Sequence, residues 1–214
     1  MIRWTTPSRW KRIVVDIDTQ RCFFPDNGKA HVHNNRTVLA NIRRVMAWTR
    51  LKHIYVVSTK QVPVCYCNFR GDDTNSLNKI GYTLRNRRIQ FDATDCTDLP
   101  NEILEQYDQV ILCKRCIDPF EEPRDDRMLT ELEADEFILI GSLVERAIKA
   151  TALGLLARRK NVRVLVDAAC SGNKAAAKIA LQQIRAKGAK LLDTQTLLGS
   201  SALHLARKQS YPNF

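Results

Sequence analysis

Long uncharged apolar runs are missing from this 214-residue chain, and none reaches the length of a bilayer span, so no membrane association is expected. Glycine and proline are sparse, 8 and 7 residues, which excludes a collagen-like or low-complexity chain. Residues 1–12 are basic but carry no apolar h-region and no small-residue cleavage site, so a cytoplasmic location is expected. There is no internal repeat, and no recognition-helix, zinc-finger or aromatic RNA-reading pattern.

What is present is an ordinary globular composition, 44% hydrophobic and 27% charged, enough for a real core. Length and pattern suit one domain over residues 11–205, with tails at 1–10 and 206–214. Charge is the unusual bulk property: 34 Lys and Arg against 23 Asp and Glu give +11. Such an excess favours anionic partners. The basic residues are scattered, however, at Arg85, Arg87 and Arg88, at Arg158, Arg159 and Lys160, and at Lys187 and Lys190. They read as solvated helix faces, and no specific nucleic-acid binding is expected.

The 7 cysteines are odd in number, which points to reduced thiols. Cys65 and Cys67, with Cys113 and Cys116, offer four thiols, but the first spacing is one residue short of a zinc knuckle. His31 and His33 lack a third ligand at a matching spacing. Neither a metal nor another cofactor is expected.

Short apolar runs alternate with helical stretches. Residues 12–17 (Arg-Ile-Val-Val-Asp-Ile), 54–59, 110–113, 137–141, 162–166 and 190–192 read as strands. Val38, Ile42, Val45, Met46 and Thr49 recur at helical spacing, so residues 35–51 form a helix. Further helices are read at about 145–159, at 174–187 closed by Gly188, and at about 194–206. This alternation predicts an α/β fold of three layers, doubly wound, around a mainly parallel six-stranded sheet. Residues 61–98 break the rhythm and read as an excursion or a loop over the site.

In an open parallel sheet, ligands bind beyond the C-terminal ends of the strands. The residues there are Asp16, Asp18 and Gln20, then Thr59, Lys60 and Gln61, then Cys113 to Arg115, then Ser142 to Ala147, and Asp167. A carboxylate, an amine and a helix N-terminus converge in one cleft on this pattern. The expected lining is Asp18, Phe23, Lys60, Lys114 and Ala147, with a preference for a carboxylate-bearing ligand.

At these residues the chain resembles the isochorismatase-like family, cysteine hydrolases that include nicotinamidases and N-carbamoylsarcosine amidases. Asp18-Thr19-Gln20-Arg21-Cys22-Phe23-Phe24 is similar to the family's segment after the first strand. Lys114, followed by Asp118-Pro119-Phe120, is similar to its lysine and aspartate–small–phenylalanine turn. Residues 141–152, Gly-Ser-Leu-Val-Glu-Arg-Ala-Ile-Lys-Ala-Thr-Ala, resemble the glycine-led turn into the nucleophile helix. The resemblance implies Asp18 and Lys114 as catalytic residues, with Ala147 at the family's nucleophile position. It implies Phe23, Leu143 and Val144 as substrate-binding residues, and a homo-oligomer; Lys60 is expected to join them because its amine stands at the C-terminal end of the second strand.

Ala147 is where the chain departs, because the family's amidases carry a cysteine there, and a methyl group is no nucleophile. Some members that hydrolyse the vinyl ether of isochorismate dispense with the thiol and use the aspartate as general acid. The departures extend to the segment after the second strand, where nicotinamidases hold a metal through Asp and His. This chain reads Thr59-Lys60-Gln61-Val62-Pro63. Two classes stay open: a hydrolase of a small molecule using Asp18 and Lys114 without a thiol, and an inactive member that binds a ligand or acts as a scaffold. Asp16, Asp18, Ser58, Thr59 and Lys114 also resemble the haloacid-dehalogenase phosphatases, but Gln20 and the acid-free 141–144 segment depart from them.

Overall fold

The computed structural model describes residues 10–24, 35–62 and 74–199. The strands are β1 (Trp10–Ile17), β2 (Tyr55–Gln61), β3 (Arg88–Phe91), β4 (Gln109–Lys114), β5 (Ala134–Gly141), β6 (Val162–Ala169) and β7 (Lys190–Leu192). The longer helices are α1 (Asn35–Leu51), α3 (Pro123–Glu131), α4 (Lys149–Ala157) and α5 (Lys174–Ala186), and α2 (Ile103–Gln106) is a single turn. Every strand pairing is parallel, in the order β3-β4-β2-β1-β5-β6-β7.

The alternation of side chains along each strand builds two cores. Ile13, Val15 and Ile17 of β1 join Tyr55 and Val57, Val110 and Leu112, and Phe137 and Leu139 against α2, α3, α4 and α5. Val14, Val56, Ile138, Ile140 and Leu165 pack on the opposite face against Val38, Ile42, Val45 and Met46 of α1. Each such fully buried aliphatic side chain contributes about 1.5–3 kcal/mol. Three layers result.

From β1 the chain passes to β2 on one side of the sheet, and from β5 to β6 on the other. Since β1 and β5 are neighbours, the topological switch point lies between their C-terminal ends, which is where a crevice opens. Gly141 makes their approach possible. Its φ is +121°, and a Cβ there would lie 1.9 Å from the carbonyl oxygen of Ile17.

The sheet has seven strands rather than the six the apolar runs indicate. The additional one, β3, has four residues, alternates exposed and half-buried positions, and occupies the sheet edge, so it carries no apolar run. It lies within the stretch expected to be an excursion, whose residues 63–73 fall outside the described part. The helix read at 145–159 begins instead as a π turn over Val144–Ile148 before α4. The last helix begins at residue 194, and its course beyond 199 lies outside the described residues, as do the tail at 206–214 and residues 1–9. Among the described residues no helix is long and apolar enough to cross a membrane.

Candidate active site

Asp18 follows β1 with φ +46°, a left-handed conformation that aspartate tolerates better than most residues. That turn breaks the strand alternation, so Asp16 and Asp18 point to opposite faces. Asp16 is wholly buried, with Lys79 Nζ 3.0 Å from Oδ2 and the Ser58 hydroxyl donating to the same oxygen. Asp18 turns the other way, toward Lys114 at the end of β4. Two aspartates on opposite faces cannot share one phosphatase site.

The Asp18 carboxylate is held on both oxygens. Lys114 Nζ lies 2.8 Å from Oδ2, and the Thr59 hydroxyl donates to Oδ1 at 2.7 Å. The Lys114 ammonium is itself saturated, donating to Gln61 Oε1 at 2.8 Å and to the carbonyls of Cys116 and Ile117 at 3.1 and 3.3 Å. Lys114 is 0% exposed, so it acts on the site through Asp18. Gln20 locks the framework: its amide donates to the carbonyls of Gln61 and Leu77, and its Oε1 accepts from the Gln61 N–H.

The turn after β5 is tied to both neighbours. The Ser142 hydroxyl donates to the carbonyl of Asp18 at 2.8 Å, and the Val144 N–H donates to the Cys170 carbonyl. The expected helix terminus with free N–H groups is therefore partly closed. Thr151 donates to the Ala147 carbonyl at 2.7 Å and braces the π turn from within. On the other wall, the Phe120 ring lies against Gly154 of α4, where a Cβ would meet it at 2.1 Å. That contact fixes the loop of residues 115–121.

Between these walls is a cleft of about 490 Å³ lined by Asp18, Phe23, Gln61, Val62 and residues 115–118, with Glu121, Ser142, Leu143, Arg146 and Ala147. Residues 12–196 match the isochorismatase domain. The chain belongs to that family.

Solved structures similar in fold include an isochorismatase-like hydrolase from Alkaliphilus metalliredigens, 18% identical, with a TM-score of 0.67 over 90% of this chain and 96% of that one. The pyrazinamidase of Pyrococcus horikoshii in complex with zinc is 20% identical, with a TM-score of 0.63 over 86% and 99%. The MAR1 ribonuclease from Caenorhabditis elegans is 18% identical, with a TM-score of 0.64 over 98% and 95%. No curated protein matches the sequence significantly.

The structure brings Asp18, Phe23, Leu143 and Ala147 to the cleft wall, with Lys114 directly behind Asp18. It does not bring Lys60 or Val144 there. Thr59 and Gln61 face Asp18 and Lys114, so alternation along β2 turns Lys60 to the opposite face, beside Cys113. Val144 is packed in the core.

The nicotinamidase-type metal place after β2 does not fit a cation either. The Gln61 amide is already bonded to Lys114 and to the Arg115 carbonyl, and Lys60 is a cation on the wrong face. Among the described residues no group of three or more His, Cys, Asp or Glu side chains is placed to hold a metal. His31, His33, Cys65 and Cys67 lie outside the described residues.

The described thiols do not replace a nucleophile at 147. Burial pushes Cys22 up to about 11, with the Asp18 charge adding to the effect, and burial lifts Cys113 to about 11 and Cys170 to about 12. Cys116 lines the cleft, but its hydrogen bond to Glu121, and then burial, raise its pKa as well. A thiol held protonated is a poor nucleophile.

One buried carboxylate escaped sequence reasoning. Asp125 on α3 is buried behind Lys114, yet Pro-Arg-Asp-Asp-Arg reads as an ordinary exposed first turn. Arg115, one of the residues expected just beyond the strand ends, is clamped by Glu122 and Asp95 at the cleft edge.

Proposed function

We propose that this protein is a hydrolase of a small, carboxylate-bearing molecule that works by acid–base chemistry of Asp18, positioned by Lys114, without a cysteine nucleophile. The observation that carries the reading is Asp18 at the cleft wall, with one oxygen on the Lys114 ammonium at 2.8 Å and the other on the Thr59 hydroxyl. Those donors suit a carboxylate that accepts a proton. Asp18 takes a proton from a water molecule as the water oxygen bonds to the electrophilic carbon. It returns the proton to the leaving group as that bond breaks. Lys114 is a positioning residue, because its ammonium is fully engaged and buried.

The test is a turnover screen against small carboxylate-bearing amides and carbamoyl compounds, followed by Asp18→Asn on whatever is hydrolysed. Asparagine can still accept from Lys114 and donate to the Thr59 hydroxyl, so the fold is retained, as circular dichroism would verify. Turnover should fall at least about a hundredfold with ligand binding kept, because only the proton-transfer group is lost. Unchanged turnover in the variant would refute the mechanism. The raised pKa values of Cys22, Cys113, Cys116 and Cys170 favour one second reading, a binding or scaffold protein, and a panel that binds but is never turned over would establish it.

A further inference from the structure

Two charged residues stand in the turn before Ala147, and the structure uses them differently. The Glu145 carboxylate accepts from the backbone N–H groups of Gly172 and Asn173 at 2.8 and 3.0 Å, tying the π turn to the start of α5. Arg146 points the other way, into the cleft wall. Its guanidinium is exposed and has no hydrogen-bond or ion-pair partner among the described residues.

Among the described residues, the other cations at the cleft are committed or turned away. Lys114 is saturated behind Asp18, Lys60 faces away, and Arg115 is held by Glu122 and Asp95 at 3.0 and 2.7 Å. Among the described lining residues, an anion entering the cleft therefore finds one unpaired cation, adjacent in sequence to the methyl of Ala147. Phe23, Leu143, Val62 and Ile117 give the walls their apolar surface. Guanidinium also offers the planar, two-pronged geometry that a carboxylate accepts.

We propose that Arg146 is the specificity-determining residue of the cleft, receiving the ligand's carboxylate by a bidentate pair. This rests on reading the cleft as the substrate site and assigns the anion contact within it. The carboxylate preference expected of Lys60 belongs to Arg146.

The experiment is calorimetric titration with benzoate and N-carbamoylglycine, each beside its own primary amide. The wild type should bind each carboxylate about tenfold more tightly than its amide. Arg146→Gln should erase that preference while its amide affinity and melting temperature stay unchanged. Arg146→Lys should restore only part of it, because an ammonium lacks the fork. The proposal is overturned if Arg146→Gln keeps the preference, if the wild type binds amides equally well, or if the wild type binds no carboxylate probe at millimolar concentration. Asp18→Asn separates the two claims: it should retain the carboxylate preference whatever happens to turnover. Turnover surviving in that variant would refute the hydrolytic mechanism and leave the Arg146 assignment standing.

Discussion

Replacing Asp125 by asparagine should change how stability depends on pH, in a direction the structure fixes. Asp125 is 2% exposed in the first turn of α3, and its Oδ2 has no hydrogen-bond partner. Burial, and then the charges of Glu122 and Asp18, push its carboxyl up from 3.8 to about 8, against the pull of Lys114 and Arg124. The folded protein thus holds a proton here that the unfolded chain releases above about pH 4. Between pH 4 and 8 the native state binds more protons, so this group's contribution to stability is complete below pH 4 and declines as pH rises. Over the roughly three units to pH 7, at 1.36 kcal/mol per unit, the loss is about 4 kcal/mol. Asparagine does not titrate, although its amide leaves a buried donor at a cost of about 1–3 kcal/mol. Asp125→Asn should therefore be more stable than wild type by about 1–3 kcal/mol at pH 7 and no more stable at pH 4. Urea denaturation of both proteins at pH 4, 5, 6 and 7 reads the difference directly. Parallel stability curves would show that Asp125 is ionised in the folded protein and refute the argument.

Two other substitutions probe the framework. Gly141→Ala puts a Cβ 1.9 Å from the Ile17 carbonyl at a backbone φ of +121°, so it should cost more than about 4 kcal/mol and abolish soluble, cooperatively folded protein. A variant melting within a few degrees of wild type would contradict the close approach of β1 and β5. Lys114→Met leaves Asp18 buried without its counter-charge and should destabilise by about 3–5 kcal/mol in chemical denaturation. Adding Asp18→Asn should recover most of that loss, and simple additivity of the two changes would show that the pair is not coupled.

The architecture was legible where burial was deep. Buried strands announce themselves as β-branched runs, and the one-sided helix α1 as a three- and four-residue spacing, so both were readable from local pattern. The edge strand β3 was hidden, because half its side chains face solvent and it therefore resembles a polar loop. The placing of Asp18 and Ala147 in one cleft wall, with Lys114 behind Asp18, was legible, since strand ends and motif order bring them together. Lys60 misled because a residue at a strand end has the right position but not a guaranteed face. The two oxygens of Asp18 are claimed by Thr59 and Lys114, and that alternation turns Lys60 away. Asp125 carried no sequence signal, since burial of one helix face by the β4 end is a tertiary fact.

The Asp18–Lys114 pair also bears on whether the site is used. A buried ion pair is poor evidence of stabilisation, because desolvating both charges offsets much of their attraction and apolar packing of the same volume is often as good. This one lies beside a left-handed backbone at Asp18 and engages Thr59, Gln61 and two loop carbonyls. So elaborate an arrangement around one carboxylate gains little for the fold, and it leaves that carboxylate at the wall of an open cleft. On the proposed reading, alanine at 147 puts a methyl rather than a thiol in the same cleft wall as Asp18. The proposed hydrolase, with water as its nucleophile, would use that positioned carboxylate and the space of the cleft, whereas a binding protein would require neither the ion pair nor its partners.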